Sequence, residues 1–231
     1  LAEFLSEQRI IKNSWEISEI KKAVDATKQG FENLISSIPA AGIRGERVLE
    51  TAFFEKARLL GHDLGYETIS ASGNHANILH WTKNNGDIKK DELVLVDAGV
   101  EVDSLYTADI TRTLPISGRF SEQQREVYQI VLEAADAAFA VCKPGNLFRD
   151  MHNEAMKVIA SHCERLGIIP VTAEESLLPE NQYHRRWMVH GTGHHLGLDV
   201  HDCAQARKEM YLDTELKPGM VFTIEPGLYF H

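Results

Sequence analysis

No run of apolar residues in the sequence approaches the ~20 that a membrane span requires. The first residues, Leu1-Ala2-Glu3-Phe4, carry neither a basic stretch nor a cleavage site, so no secretory signal is expected. The missing initiator Met leads to the expectation of an excised piece of a longer protein. Cysteine is scarce: Cys142, Cys163 and Cys203 are an odd, scattered set with no Cys-x-x-Cys pair. That argues against a disulfide framework and a structural zinc knuckle, and points to a reducing, cytoplasmic setting. Positive charge is scarce too, with 24 Lys and Arg against 34 Asp and Glu and a net charge of −10. Nucleic acids and anionic membranes both need clustered positive charge, so neither is an expected partner. No low-complexity linker or short-period repeat divides the chain. Its 231 residues, 43% hydrophobic and 25% charged, default to one domain over residues 1–231 that can close its own core.

What is present begins with helices. Asn13 stands three residues before Glu16, a capping pattern, and Ile17, Ile20, Val24, Phe31 and Leu34 follow at largely helical spacing. Val48, Leu49, Ala52, Phe53, Ala57 and Leu60 form a second stripe ended by Gly61, and the charged positions between them read as a solvated face. From Thr68 the pattern becomes β-like, through Ile69, Ile78-Leu79-His80, Leu93 to Asp97, and Tyr106 to Thr113. A turn-rich stretch between the last two predicts a hairpin. Ser121 to Gln124 is a capping box for a helix through Ala138, stopped before Lys143-Pro144-Gly145. Another helix is predicted over 147–166, with Gly167 as its stop. The segments 188–193, 198–201 and 220–225 read as strands. Helices, strands, helices, strands predict an α+β fold with helices covering a curved sheet.

Two carboxylates occupy strand-like positions. Asp97 ends the apolar run Val94-Leu95-Val96, and Asp109 follows twelve positions later in Ala108-Asp109-Ile110-Thr111-Arg112-Thr113. If the segments pair, both acids can point to one spot, where a shared proton or a divalent metal relieves their repulsion. The plainer alternative has Asp97 starting a turn and Asp109 pairing with Arg112. Residues 190–202, HGTGHHLGLDVHD, pack four imidazoles into thirteen positions, against 11 in the whole chain. Alternate glycines there permit close backbone approach. Glu225, in Thr223-Ile224-Glu225-Pro226-Gly227, is a further carboxylate at a strand end. Two Asp, one His and one Glu form an oxygen-rich set suited to Mn²⁺, Co²⁺ or Zn²⁺ in a two-metal hydrolase, with amide hydrolysis the natural reaction class.

Val96-Asp97-Ala98-Gly99, Asp109 to Thr113, His190 to Asp202 and Thr223 to Tyr229 resemble, in order, four signatures of the pita-bread metallopeptidases. The HGTGHHLGLDVHD form is closer to the aminopeptidase P and prolidase branches than to methionine aminopeptidase. The resemblance implies a pita-bread α+β fold with pseudo-twofold halves about a curved central sheet. It also implies release of the N-terminal residue from peptides with proline second, and two divalent metals, Mn first. By the same resemblance, Asp97 binds one metal, Asp109 bridges both, His194 completes one shell, and Glu225 both ligates and acts as general base. His80 matches a histidine that steadies the substrate or tetrahedral intermediate, and His190 and His201 match positions lining the substrate pocket. His195, Asp199 and His75 are expected to pack or to lie at the surface. The family's full-length members carry an N-terminal domain of the creatinase type, which often builds oligomer contacts, and a second bridging Glu beyond the position of Glu225. Both are expected outside these residues, and the full-length form is expected to be a homo-oligomer. Other readings are a prolidase acting on Xaa-Pro dipeptides, a metal-free binding module, and a metal-free amidinohydrolase.

Overall fold

The computed structural model describes residues 1–230. In chain order its helices and strands are α1 (Ala2–Arg9), α2 (Ser14–Ala41), α3 (Gly45–Leu60), β1 (Asp63–Leu64), β2 (Ile69–Ser72), β3 (Leu93–Ala98), β4 (Val100–Glu101) and β5 (Ile110–Pro115). They are followed by α4 (Glu122–Val141), α5 (Asp150–Arg165), α6 (Ala173–Leu177) and α7 (Lys208–Tyr211). The chain divides into two compact units. A sheet unit comprises 12–120 and 196–202; a helical unit comprises 1–11, 121–195 and 203–230.

In the sheet unit, Asn13 Oδ1 accepts from the Trp15 and Glu16 amides, and the Glu16 carboxylate accepts from the Asn13 amide, closing the capping box that starts α2. The buried stripe of α2 runs through Ile20, Ala23, Ala26, Thr27, Gly30, Phe31 and Leu34. Val24, expected in it, is 39% exposed. The stripe shifts because α3 packs closely: a Cβ on Gly30 would lie 2.5 Å from the Phe53 ring, so only glycine fits there. Thr27 Oγ1 donates to the Ala23 carbonyl and accepts from the Val100 amide, tying α2 to β4.

The expected hairpin forms. β3 pairs antiparallel with β5, placing Asp97 opposite Thr111, and also with β2, giving the order β2-β3-β5; β1 and β4 make a separate pair. Strand alternation sends Val94, Val96 and Ala98 into a fully buried core with Leu34, Leu49 and Phe53. Asp97, one position out of phase with that core, faces the other side and is half-buried. Ile78-Leu79-His80 is not a strand. A 3₁₀ turn over Gly73–Asn77 leads into a bend and turn there, with His80 at φ 54°. Glu46 is not part of a solvated face either, for its side chain is fully buried.

In the helical unit, Ser121 and Gln124 close the second capping box as predicted, opening α4. Helix α5 begins at Asp150, whose carboxylate accepts from the Leu147 amide, and Gly167 at φ 68° follows its end. Phe148, Met151, Ala155, Ile159 and Met188 form the core beneath α4 and α5. The thiols of Cys142 and Cys163 are free, and burial pushes that of Cys163 up to about 11. Residues 188–193 form no strand, with bends at His190 and Thr192, and 220–225 makes only isolated bridges, Phe222 opposite His195 and Met220 opposite Ile11. In the sheet unit, 198–201 is a succession of bends. Pro218-Gly219 and Pro226-Gly227 explain the brevity of pairing at 220–225, because proline lacks a donor and glycine weakens a strand. Among the described residues no helix is long and apolar enough to cross a membrane.

Candidate metal centre

Each unit gathers part of the predicted set. In the sheet unit, Tyr66 Oη lies 2.6 Å from Asp97 Oδ1 and 2.8 Å from Asp109 Oδ1, so the two carboxylates converge on one hydroxyl. The local fold makes this possible. A Cβ on Gly99 would stand 1.8 Å from the Ala108 carbonyl oxygen and 2.9 Å from the Tyr66 ring, so glycine lets the Asp109 segment close on the end of β3. A phenol has one proton to donate and serves one carboxylate at a time. Like charges held this close call for a proton or a cation. Burial first, then the Asp97 and Asp109 charges, push the Tyr66 phenol well above its ordinary range, so it stays a neutral donor. Arg112 does not pair with Asp109 as the alternative reading had it, but donates to the Thr111 carbonyl.

His80 is exposed. Its left-handed backbone is unusual for a residue with a Cβ and costs about 1–2 kcal/mol, which surrounding contacts must hold in place. His201 is an exposed residue beside Asp202, whose carboxylate makes a buried ion pair with Lys12 at 3.0 Å. Asp199 lies exposed nearby.

In the helical unit, the Thr223 amide donates to the His194 carbonyl and the Glu225 amide to the Thr192 carbonyl, aligning two extended segments. That register brings His194 Nε2 to 3.1 Å from Glu225 Oε1. Thr223 Oγ1 accepts from the His194 amide and donates to Glu225 Oε1 at 2.7 Å, fixing both sides of the pair. His194 Nδ1 lies 3.0 Å from the His195 carbonyl; since a carbonyl only accepts, Nδ1 carries the proton. A neutral His194 therefore turns a lone pair toward a carboxylate, an arrangement that either a second proton or a shared cation makes favourable. The donor sets of both units, carboxylate oxygens and one imidazole nitrogen, fit a hard-to-borderline divalent ion.

His190 is oriented in the same way. Its Nδ1 donates to the Gly191 carbonyl at 2.7 Å, so its Nε2 accepts from Tyr229 Oη at 2.7 Å. His195 is fully buried, stacked on Phe148 at 4.7 Å and flanked by Tyr211 and Phe222, so it packs. His75 stacks on Trp81. The residues that sequence reasoning gave no role are Tyr66, Thr223, Tyr229 and Glu46. Thr223 and Tyr229 lay inside quoted motifs, but nothing in a motif says which neighbour a hydroxyl will reach. Gly193 is needed for the His194–Glu225 register, because a Cβ there would meet the Thr223 carbonyl oxygen at 2.0 Å. Gly193→Ala is expected to destabilise the fold by about 1–3 kcal/mol, as overpacking does; an unchanged urea midpoint would contradict that geometry.

The model of metallopeptidase family M24 matches residues 18–231. The chain is 50% identical over 230 residues to Xaa-Pro aminopeptidase 2 of Streptomyces coelicolor, covering 100% of this chain and 48% of that protein. It is 48% identical over 227 residues to Xaa-Pro aminopeptidase 1 of the same organism, covering 98% and 46%. Among solved structures it resembles an aminopeptidase of Pseudomonas aeruginosa, with TM-score 0.90 and 35% identity over 100% of this chain and 51% of that one. It also resembles Zn-substituted Escherichia coli aminopeptidase P in complex with product, with TM-score 0.89 and 33% identity over 99% and 51%. The chain thus spans about half the length of the curated relatives it matches. The likeness to the aminopeptidase P structures carries the expected α+β, pita-bread fold to this chain. With its family match over residues 18–231 and relatives of 48–50% identity along almost all of it, the chain belongs to metallopeptidase family M24.

Proposed function

We propose that Asp97, Asp109, His194 and Glu225 form one centre for two divalent cations, and that the protein releases the N-terminal residue from peptides whose second residue is proline. The observation that carries the reading is the convergence of Asp97 and Asp109 on one hydroxyl at 2.6 and 2.8 Å, an arrangement of like charges that a cation relieves. The proposed catalytic domain covers 1–231. Bound metals would polarise the scissile carbonyl and make a nucleophile from water near neutral pH. The rest falls to this chain's residues. Asp97, Asp109 and His194 would hold the metals, Asp109 as the ligand shared between them, and His194 presents Nε2 because its Nδ1 proton is committed to the His195 carbonyl. Glu225 would complete the ligand set and accept the proton of the attacking water, with Thr223 steadying its carboxylate. His80 donates toward the charge that develops on the carbonyl oxygen. His190, held by Tyr229, and His201 line the pocket.

Manganese is the proposed metal because the ligand set is mostly oxygen, with cobalt and zinc as alternatives. The full-length form is proposed to be a homo-oligomer in the cytoplasm, with peptides rather than nucleic acid or membrane as partners. The Xaa-Pro aminopeptidase names of the relatives at 48–50% identity favour this activity over a prolidase or a metal-free binding module. The test is hydrolysis of an Xaa-Pro-Xaa tripeptide and an Xaa-Pro dipeptide by the Mn²⁺-loaded full-length protein. The expected result is cleavage of the tripeptide with clear preference, abolished by chelation and restored by Mn²⁺. Preference for the dipeptide would make it a prolidase, and activity unaffected by chelation would overturn the metal reading.

A further inference from the structure

Helix α3 presents Glu46 to the segment that carries His80, and four contacts join them. Glu46 Oε1 accepts from the Ser72 amide at 2.7 Å and lies 2.8 Å from His75 Nδ1. Its Oε2 accepts from Trp81 Nε1 at 2.9 Å and the Gly86 amide at 2.6 Å. One fully buried carboxylate thus holds both ends of the 72–86 segment and the residue next to His80. The Trp81 ring is further fixed by stacking on His75, with centroids 3.8 Å apart and planes 23° from parallel. A second tie secures the far end, where buried Asn84, at φ 44°, accepts from the Ser70 amide and donates to the Thr68 carbonyl of the chain leading into β2. Burial raises the Glu46 carboxyl, but the four donors, the Ser72 amide foremost, outweigh it and hold the group below its ordinary range. It is therefore an anion at neutral pH, able to accept on both oxygens. A cap on α3 alone would need none of these side-chain donors.

We infer that Glu46 is a positioning residue for His80: by clamping Ser72, His75, Trp81 and Gly86 on one carboxylate, it sets the left-handed turn from which His80 reaches the substrate. This rests on the proposed role of His80 and names what holds that residue in place.

Two variants probe the clamp. Glu46→Gln keeps the shape but turns an amide NH₂ toward two of the donors, while Trp81→Phe removes one donor and keeps the ring on His75. Steady-state kinetics, bound Mn²⁺ and hydrogen exchange would be measured for each in the full-length Mn²⁺ enzyme, alone and combined with His80→Ala. The expectation is a kcat lowered between about 10- and 100-fold with KM within about twofold, metal content unchanged, and faster exchange over 73–86. In the His80→Ala background neither variant should lower kcat further, since a residue acting through His80 has nothing left to position. A loss that multiplies with His80→Ala would overturn the inference and mark Glu46 as generally structural. If His80→Ala alone keeps full activity, the catalytic reading of His80 fails. The clamp is then judged by exchange alone: faster exchange over 73–86 upholds it and unchanged exchange overturns it. Should Glu46→Gln not fold, Trp81→Phe decides by the same measurements.

Discussion

Glu225→Gln is expected to lower kcat on an Xaa-Pro peptide by roughly 10²–10⁴-fold, the range that a positioned proton-transfer group supplies. The folded state should be nearly untouched, because the contacts that place residue 225 are made by its backbone. Its amide donates to the Thr192 carbonyl, and the neighbouring Thr223 amide donates to the His194 carbonyl. The amide oxygen of Gln can still accept from Thr223 Oγ1, so the side chain keeps its place while losing its charge and its capacity to take a proton. Kinetics alongside a thermal melt separate the two effects. An enzyme with wild-type turnover, or one whose melting point falls with its activity even when both proteins are stripped of metal, would remove Glu225 from the proposed role.

Lys12→Met is expected to cost about 3–5 kcal/mol of stability, the penalty for leaving one partner of a buried ion pair behind. Lys12 Nζ and Asp202 Oδ2 are 3.0 Å apart and both side chains are 1% exposed, so solvent cannot compensate for the lost ammonium. A Cβ on Gly197 would sit 2.3 Å from Asp202 Oδ2 and 3.0 Å from Lys12 Cε, which shows how tightly the pair is enclosed by the 196–202 segment. Replacing both partners, as Lys12→Met with Asp202→Leu, should recover most of the loss, since it removes both buried charges together. Urea unfolding of the single and double variants measures this. A single variant within about 1 kcal/mol of wild type would mean that the pair is not the fastening it looks to be.

What could be read from the sequence follows from how local its causes are. The starts of α2 and α4 were legible because a capping box involves residues three apart, and Asn13 with Glu16 and Ser121 with Gln124 each close one. The hairpin of β3 and β5 was legible from two β-like runs separated by a turn. Ile78-Leu79-His80 misled because three adjacent residues of strand type carry no sign of Glu46, which lies more than thirty positions upstream and bends the segment through Trp81 and Gly86. Glu46 itself looked like one charge among several on a helix, since burial of a carboxylate depends on donors that arrive from elsewhere in the chain. The segments around His194 and Glu225 do not form the strands their patterning predicts. Their pairing stops after a few bonds at Pro226-Gly227, yet it still fixes His194 against Glu225. Tyr66 had no sequence signal at all, because a phenol between Gly65 and Glu67 reads alike whether it faces solvent or two aspartates.

The central claim is that the Asp97–Asp109 pair and the His194–Glu225 pair serve one metal centre. The most direct measurement is an anomalous-scattering map at the manganese edge from crystals of the full-length protein grown with Mn²⁺. The expected result is two adjacent peaks roughly 3.5–4 Å apart, with Asp97, Asp109, His194 and Glu225 all within ligand distance and Asp109 touching both. Peaks that leave any of these four side chains without a contact to metal, or no peaks beside Asp97 and Asp109, would contradict it.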